Sequence, residues 1–142
     1  MSADGSVELF FGDGTHRFRL AIGQFRELQE KVNGRRILVG APPIGPATLL
    51  EALQTNNAWP DDMRDVLRLG LVGGGMKPQE AHRLLLNNFD DKPPQSIGPT
   101  VFLILLAALV GVPEDEIVSK KNESEATTTS SDSVTSMGSG LQ

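Results

Sequence analysis

The sequence predicts an α+β fold, mostly α, with an N-terminal β-hairpin packed on four or five helices. Three observations carry that expectation. A Gly12-Asp13-Gly14 turn signal separates two β-prone runs near the N-terminus. Residues 59–86 read as a helix, a glycine turn and a second helix, and the rest of the chain is arranged around them. Residues 101–110 form the most apolar run of the chain. The 142 residues are enough for one domain with a single core, assigned to 1–118, followed by a tail over 119–142.

The hairpin is expected over residues 7–22. Phe18, Leu20 and Ile22 alternate with Arg17, Arg19 and Ala21, the period-two pattern of a strand with one wet face. Two strands alone are marginal, so the apolar face should lie on the helices that follow. A short helix is expected from Gly23 to Val32, with Phe25, Leu28 and Val32 on one side and Asn33-Gly34 as its stop. The prolines between 35 and 46 forbid a regular helix until about Pro46, which then opens a helix reaching Gln54.

The central pair follows. Pro60 suits the first turn of a helix, and Asp61 and Asp62 complement the positive end of its dipole. Met63, Val66, Leu67, Gly70 and Leu71 share one face, while Arg64 and Arg68 share a separate polar one. Gly73-Gly74-Gly75 is expected to end the helix by entering the left-handed region. Pro78 and Glu80 open the next helix, which buries Ala81, Leu84, Leu85 and Phe89. After the polar loop Asp90-Asp-Lys-Pro-Pro94, the run 101–110 is too short for a membrane span, which needs roughly 20 apolar residues. It reads as a core helix, or as one with an apolar side left for docking. From Ser119 on, Ser and Thr supply 11 of 24 residues and apolar residues are widely spaced, so this segment is expected to be disordered.

Composition excludes several functions. A net charge of −5 and a pI near 5.0 argue against a phosphate-backbone binder. Without cysteine there is no disulfide, thiolate nucleophile or Cys-ligated metal. His16 and His82 lack neighbouring ligands and read as solvated or packing residues. Gly70-Leu-Val-Gly-Gly-Gly75-Met-Lys77 is not a phosphate loop, because no strand precedes it and no hydroxyl residue follows the lysine. Asp61-Asp62 and Asp90-Asp91 read as caps and solvated charge rather than catalytic carboxylates. The 63–86 pair resembles a helix-turn-helix DNA reader only in outline. Its second helix offers little beyond His82 and Arg83, and the chain is acidic. No residue is assigned to catalysis, to a cofactor or to a metal, and no membrane contact is expected.

The run Trp59…Asp61-Asp62…Arg64-Asp-Val-Leu-Arg-Leu-Gly-Leu-Val-Gly-Gly-Gly-Met-x-Pro-x-Glu-Ala81 resembles the gene transfer agent family of small phage tail proteins. Asp13-Gly14 with Phe18-x-Leu20, Gln24-Phe-x-x-Leu28-Gln-Glu-Lys31 and Leu53-Gln-Thr55 agree with it, and the resemblance spans about residues 6–112. Two departures stand out: the proline-rich loop 34–46, and Lys77 where Ser or Thr would cap the second helix. The resemblance implies a non-enzymatic tail assembly chaperone in the cytoplasm of the bacterial host. Its partners would be the tape measure protein and tail tube subunits, and a homo-oligomer is compatible with it. The alternative is a structural tail tube or tail-completion subunit in the virion tail, although one short hairpin is little for a tube. For partner binding, Phe102, Leu105 and Leu109 are the expected groove residues. Arg64 and Arg68 are the expected flanking contacts to an acidic partner, and Trp59 is an anchor if it does not simply pack on its own helix. Gly70, Gly73, Gly74 and Gly75 are structural.

Overall fold

The computed structural model describes residues 4–111. The expected tail at 119–142 lies outside the described residues. In chain order the elements are β1 (Val7–Phe11), β2 (Gly14–Phe18), α1 (Ile22–Leu38), α2 (Pro46–Gln54), α3 (Pro60–Gly73), α4 (Pro78–Asn88) and α5 (Gly98–Val110). A single 3-10 turn at Pro94–Ser96 precedes α5. The α+β expectation of a hairpin on helices holds.

β1 and β2 pair antiparallel from Val7 opposite Phe18 to Phe11 opposite Gly14. Gly12 takes φ +69° at the first central position of the turn, where a side chain would be strained. Phe11 and Phe18 meet edge to face at 6.4 Å beneath the hairpin. The second strand stops at Phe18, four residues short of the expected end. Leu20 still enters the core, but Ile22 is the first residue of α1 and is 68% exposed. The backbone N–H of Arg19 donates to the Gly70 carbonyl instead of continuing the ladder, which turns the chain into the helix.

α1 is the larger correction. It does not stop at Asn33-Gly34 but runs to Leu38. A mid-helix glycine costs about 1 kcal/mol relative to alanine, and tertiary bonds offset it here. Asn33 clamps the following loop, with its Nδ2 donating to the Ile44 carbonyl and its Oδ1 accepting from the Ile44 N–H. Arg35 and Arg36, one turn further on, are fastened to α3 by ion pairs. The glycine is tolerated because the residues on both sides of it are held.

α3 packs against α1, α4, α5 and β2, which makes it the centre of the fold. Val66, Leu67 and Leu71 are fully buried on it, and they meet Phe18, Leu85, Ile104 and Leu105 from the surrounding elements. α2 completes the core by packing on α5. Pro46, Pro60 and Pro78 each begin a helix, as the sequence predicts, and Lys77 precedes α4 without a side-chain cap.

The triple glycine has a different cause from the one expected. Only Gly75 has a positive φ, +114°, while Gly73 is helical and Gly74 is right-handed. What Gly73 and Gly74 provide is room. A Cβ at Gly73 would fall on the Arg19 carbonyl oxygen, and one at Gly74 on that of Arg17. Gly70 is tight as well, with Phe18 and Ile104 atoms 3.2 and 3.3 Å from where a Cβ would stand. The glycines let the end of β2 lie directly on the end of α3.

Candidate functional site

An open apolar groove lies between α1, α2 and the last turn of α5, with a volume of about 290 Å³. Ile22, Phe25 and Val32 line one wall from α1, successive residues standing three and seven positions apart along a single helical face. Leu49 comes from α2, Leu109 from α5, and Ile44 from the loop that Asn33 holds in place. Among the described residues that line the groove, Gln29 alone has a polar side chain. Leu28 and Leu49 form its floor as core residues, while Ile22 and Leu109 stand exposed at its edge. Beyond the end of α1, Ile37, Leu38 and Val39 are also exposed.

The α1 wall is set by a buried charge cluster. Asp62 is fully buried in the first turn of α3, and its Oδ1 accepts from Arg35 Nη2 and Nε. Its Oδ2 lies 2.9 Å from Arg36 Nη1. No bond to Oδ2 meets hydrogen-bond geometry, so that contact is ionic rather than directional. Asp65 Oδ2 accepts a further bond of 2.7 Å from Arg35. Burial alone would lower the Arg35 pKa, but the hydrogen bonds it donates to Asp62 and Asp65, with the charges of both carboxylates, outweigh it and leave the guanidinium raised. Asp62 is therefore no solvated cap, which corrects the sequence reading, whereas Asp61 is exposed as expected. The cluster joins α1 to α3 and fixes the rotation of the groove wall.

The other residues singled out in the sequence fall in different places. Leu109 lines the groove, Leu105 is entirely within the core, and Phe102 borders a separate shallow recess with Leu53 and Leu103. Arg64 makes a two-pronged contact to Asp90, at 2.9 and 3.1 Å. Asp90 raises the Arg64 pKa by accepting those bonds. Arg68 reaches Glu27 at 3.2 Å and Asp65 at 3.6 Å. Trp59 precedes α3 half-buried, and the Arg36 guanidinium stands 4.3 Å from its ring centroid. His16 bonds Asp13 across the turn, and His82 is exposed on α4.

Sequence reading missed Phe25, Val32 and Ile22 as site residues. Their spacing carries the signal, but the local stop at Asn33-Gly34 and the strand alternation through Ile22 hide it. Among the described residues no group of three or more His, Asp or Glu side chains is placed to hold a metal. No described helix is long and apolar enough to cross a membrane.

A family model described as "Phage tail tube protein, GTA-gp10" matches residues 4–111, about three quarters of the chain. The chain belongs to this family. The match begins and ends with the described fold, and it takes in the hairpin, all five helices and the glycine turn. No curated protein and no solved structure matches the chain. Membership of this phage tail tube and assembly chaperone family implies partners among tail proteins.

Proposed function

We propose that this family member is a non-enzymatic tail assembly chaperone that binds helical segments of the tape measure protein and yields them to tail tube subunits. The observation that carries this reading is the apolar groove of α1, α2 and α5, whose open shape and helical spacing suit the apolar face of a partner helix. Leu109 stays in the proposed contact, and Phe25 and Val32 join it. Phe102 is a second, separate apolar contact. Arg64 and Arg68 would reach an acidic partner by exchanging their internal carboxylates. Leu105 acts from within the core by supporting the wall.

Magnitudes favour many weak contacts. Burying two leucine-sized anchors supplies roughly 3–6 kcal/mol. Association itself costs an estimated 4–15 kcal/mol, so one groove holds one helix weakly. Several copies along one long partner would bind much more tightly than any single copy. That suits a coat that polymerising tube subunits must strip.

The second reading, a tube or tail-completion subunit, is favoured by the printed family description. Against it, the sheet among the described residues is two strands of five residues. Particle composition separates the two readings. Mass spectrometry of purified particles should find this chain at trace level beside an abundant tube protein. Abundance matching a tube subunit would reverse the assignment.

A further inference from the structure

The two outer edges of the hairpin differ. On β2 the edge is closed by the end of α3: the Arg19 N–H donates to the Gly70 carbonyl, and the Arg17 carbonyl abuts Gly74. Main-chain direction alternates along an antiparallel pair, so Thr15 and Arg17 point their N–H and C=O away from β1. By the same alternation Phe10 and Glu8, which stand opposite them, point theirs away from β2. Among the described residues nothing bonds to the main chain of Glu8 or Phe10 on that side. This edge is open.

Open edges pair with further strands unless a bulge, proline or charge blocks them. β1 has no proline or lysine, its register with β2 is unbroken, and its one charge, Glu8, stands opposite Arg17. Phe10, 69% exposed, leaves an aromatic ring in water on the same strand.

We propose that β1 pairs antiparallel with β1 of a second copy, joining two hairpins into one sheet about a two-fold axis at Leu9. In that register Glu8 of each copy exchanges both main-chain bonds with Phe10 of the other, so every outward group of the two residues is satisfied. Leu9, partly buried against the core, meets its own copy at the axis. Charge is compatible with the pairing. Each Glu8 lies between Arg17 of its own hairpin and Phe10 of the other copy, so no like charges stand opposite. The two Phe10 rings are diagonal neighbours within reach of each other. Because α3 closes β2, the sheet stops at two copies instead of continuing into a ribbon or ring. No β1 residue lines the apolar groove, so the dimer does not depend on the function proposed above. Combined with that function, it presents two grooves to one long partner.

Sedimentation of the full-length protein over a dilution series should show a species of twice 15.3 kDa that dissociates on dilution. Phe10→Lys charges the open edge without touching the core, and should raise the dimer dissociation constant by about tenfold or more at an unchanged melting temperature. Thr15→Lys puts the same charge on the exposed face of the closed strand, and should leave that constant within about threefold. The register is tested by oxidation, which has no background because the chain lacks cysteine. Leu9→Cys brings two Cα atoms to about 4.5 Å across the axis, inside the range of a disulfide, whereas the Phe10→Cys copies stand about 7–8 Å apart. The first should therefore link into dimers about tenfold faster than the second. A single-chain mass at every concentration overturns the proposal, as does a dimer that Phe10→Lys leaves intact. Equal linking of the two cysteine variants, or masses that grow beyond two chains, would also overturn it.

Discussion

Asp62→Ala should cost about 3–5 kcal/mol of folding stability, the largest effect of any single charged substitution in the chain. The reason is what remains behind. Arg36 has a side chain only 8% exposed, packed over Trp59 and donating to the Val32 carbonyl, so it has no route to water. Arg35 keeps Asp65 and partial exposure, so it suffers less. Against a total stability of about 5–15 kcal/mol, such a loss is a large fraction of the whole. In the melting temperature it corresponds to a drop on the order of 10–20 °C for a domain of this size. Thermal melts of Asp62→Ala and of its exposed neighbour Asp61→Ala form the comparison. Asp61→Ala should stay within about 1 kcal/mol of the parent, the size of a helix-dipole contribution. Equal losses at both positions would show that dipole stabilisation, not the buried cluster, is what Asp62 provides.

Gly74→Ala should be the next most damaging change, at about 3 kcal/mol, the upper end of typical overpacking costs. The clash is with backbone, since the new Cβ would meet the Arg17 carbonyl oxygen. A side chain could rotate away, but a carbonyl on the strand paired with β1 has to shift the hairpin as well. Gly75→Ala serves as the contrast. Nothing lies within 4 Å of its Cβ position, and its cost comes from φ +114° alone. Urea titrations of the two variants should rank Gly74→Ala as the less stable. The reverse order would mean that the left-handed turn governs this motif and that the close approach of β2 is relaxed in solution.

These two positions also show how much was legible in the sequence. The hairpin turn, the proline-led starts of α2, α3 and α4, and the buried face of α3 follow from local rules, and the structure agrees with each. The misses share one cause, which is that distant residues overrode local preference. Asn33-Gly34 is a good stop signal in isolation, yet α1 passes through it because Ile44, Asp62 and Asp65 hold the residues around it. Asp62 looked like ordinary N-terminal charge because its arginines are more than two dozen residues upstream. The space requirement that Arg17 and Arg19 impose on Gly74 and Gly73 leaves no mark in the local pattern of those glycines.

The groove was legible only in part. Leu109 follows from the apolar character of α5, but the wall facing it belongs to α1, which runs past its local stop signal to Leu38. Once α1 is extended and its first residue is Ile22, the positions Ile22, Phe25, Gln29 and Val32 fall on one face. Leu105 is drawn into the core because α5 packs on both α2 and α3, and of α5 only Leu109, in its last turn, lines the groove.

The central claim is that this groove binds the tape measure protein, and co-expression tests it most directly. The tape measure protein of the same gene cluster would be expressed with the parent chain or with Phe25→Asp, a half-buried groove position. Circular dichroism would first confirm that the variant is folded. With the parent chain, the tape measure protein should become soluble and co-purify with several copies of this protein. With Phe25→Asp, it should return to the insoluble fraction, with at least a tenfold loss of co-purified material. Undiminished recovery with the folded variant would contradict the account and move the binding surface elsewhere on the molecule.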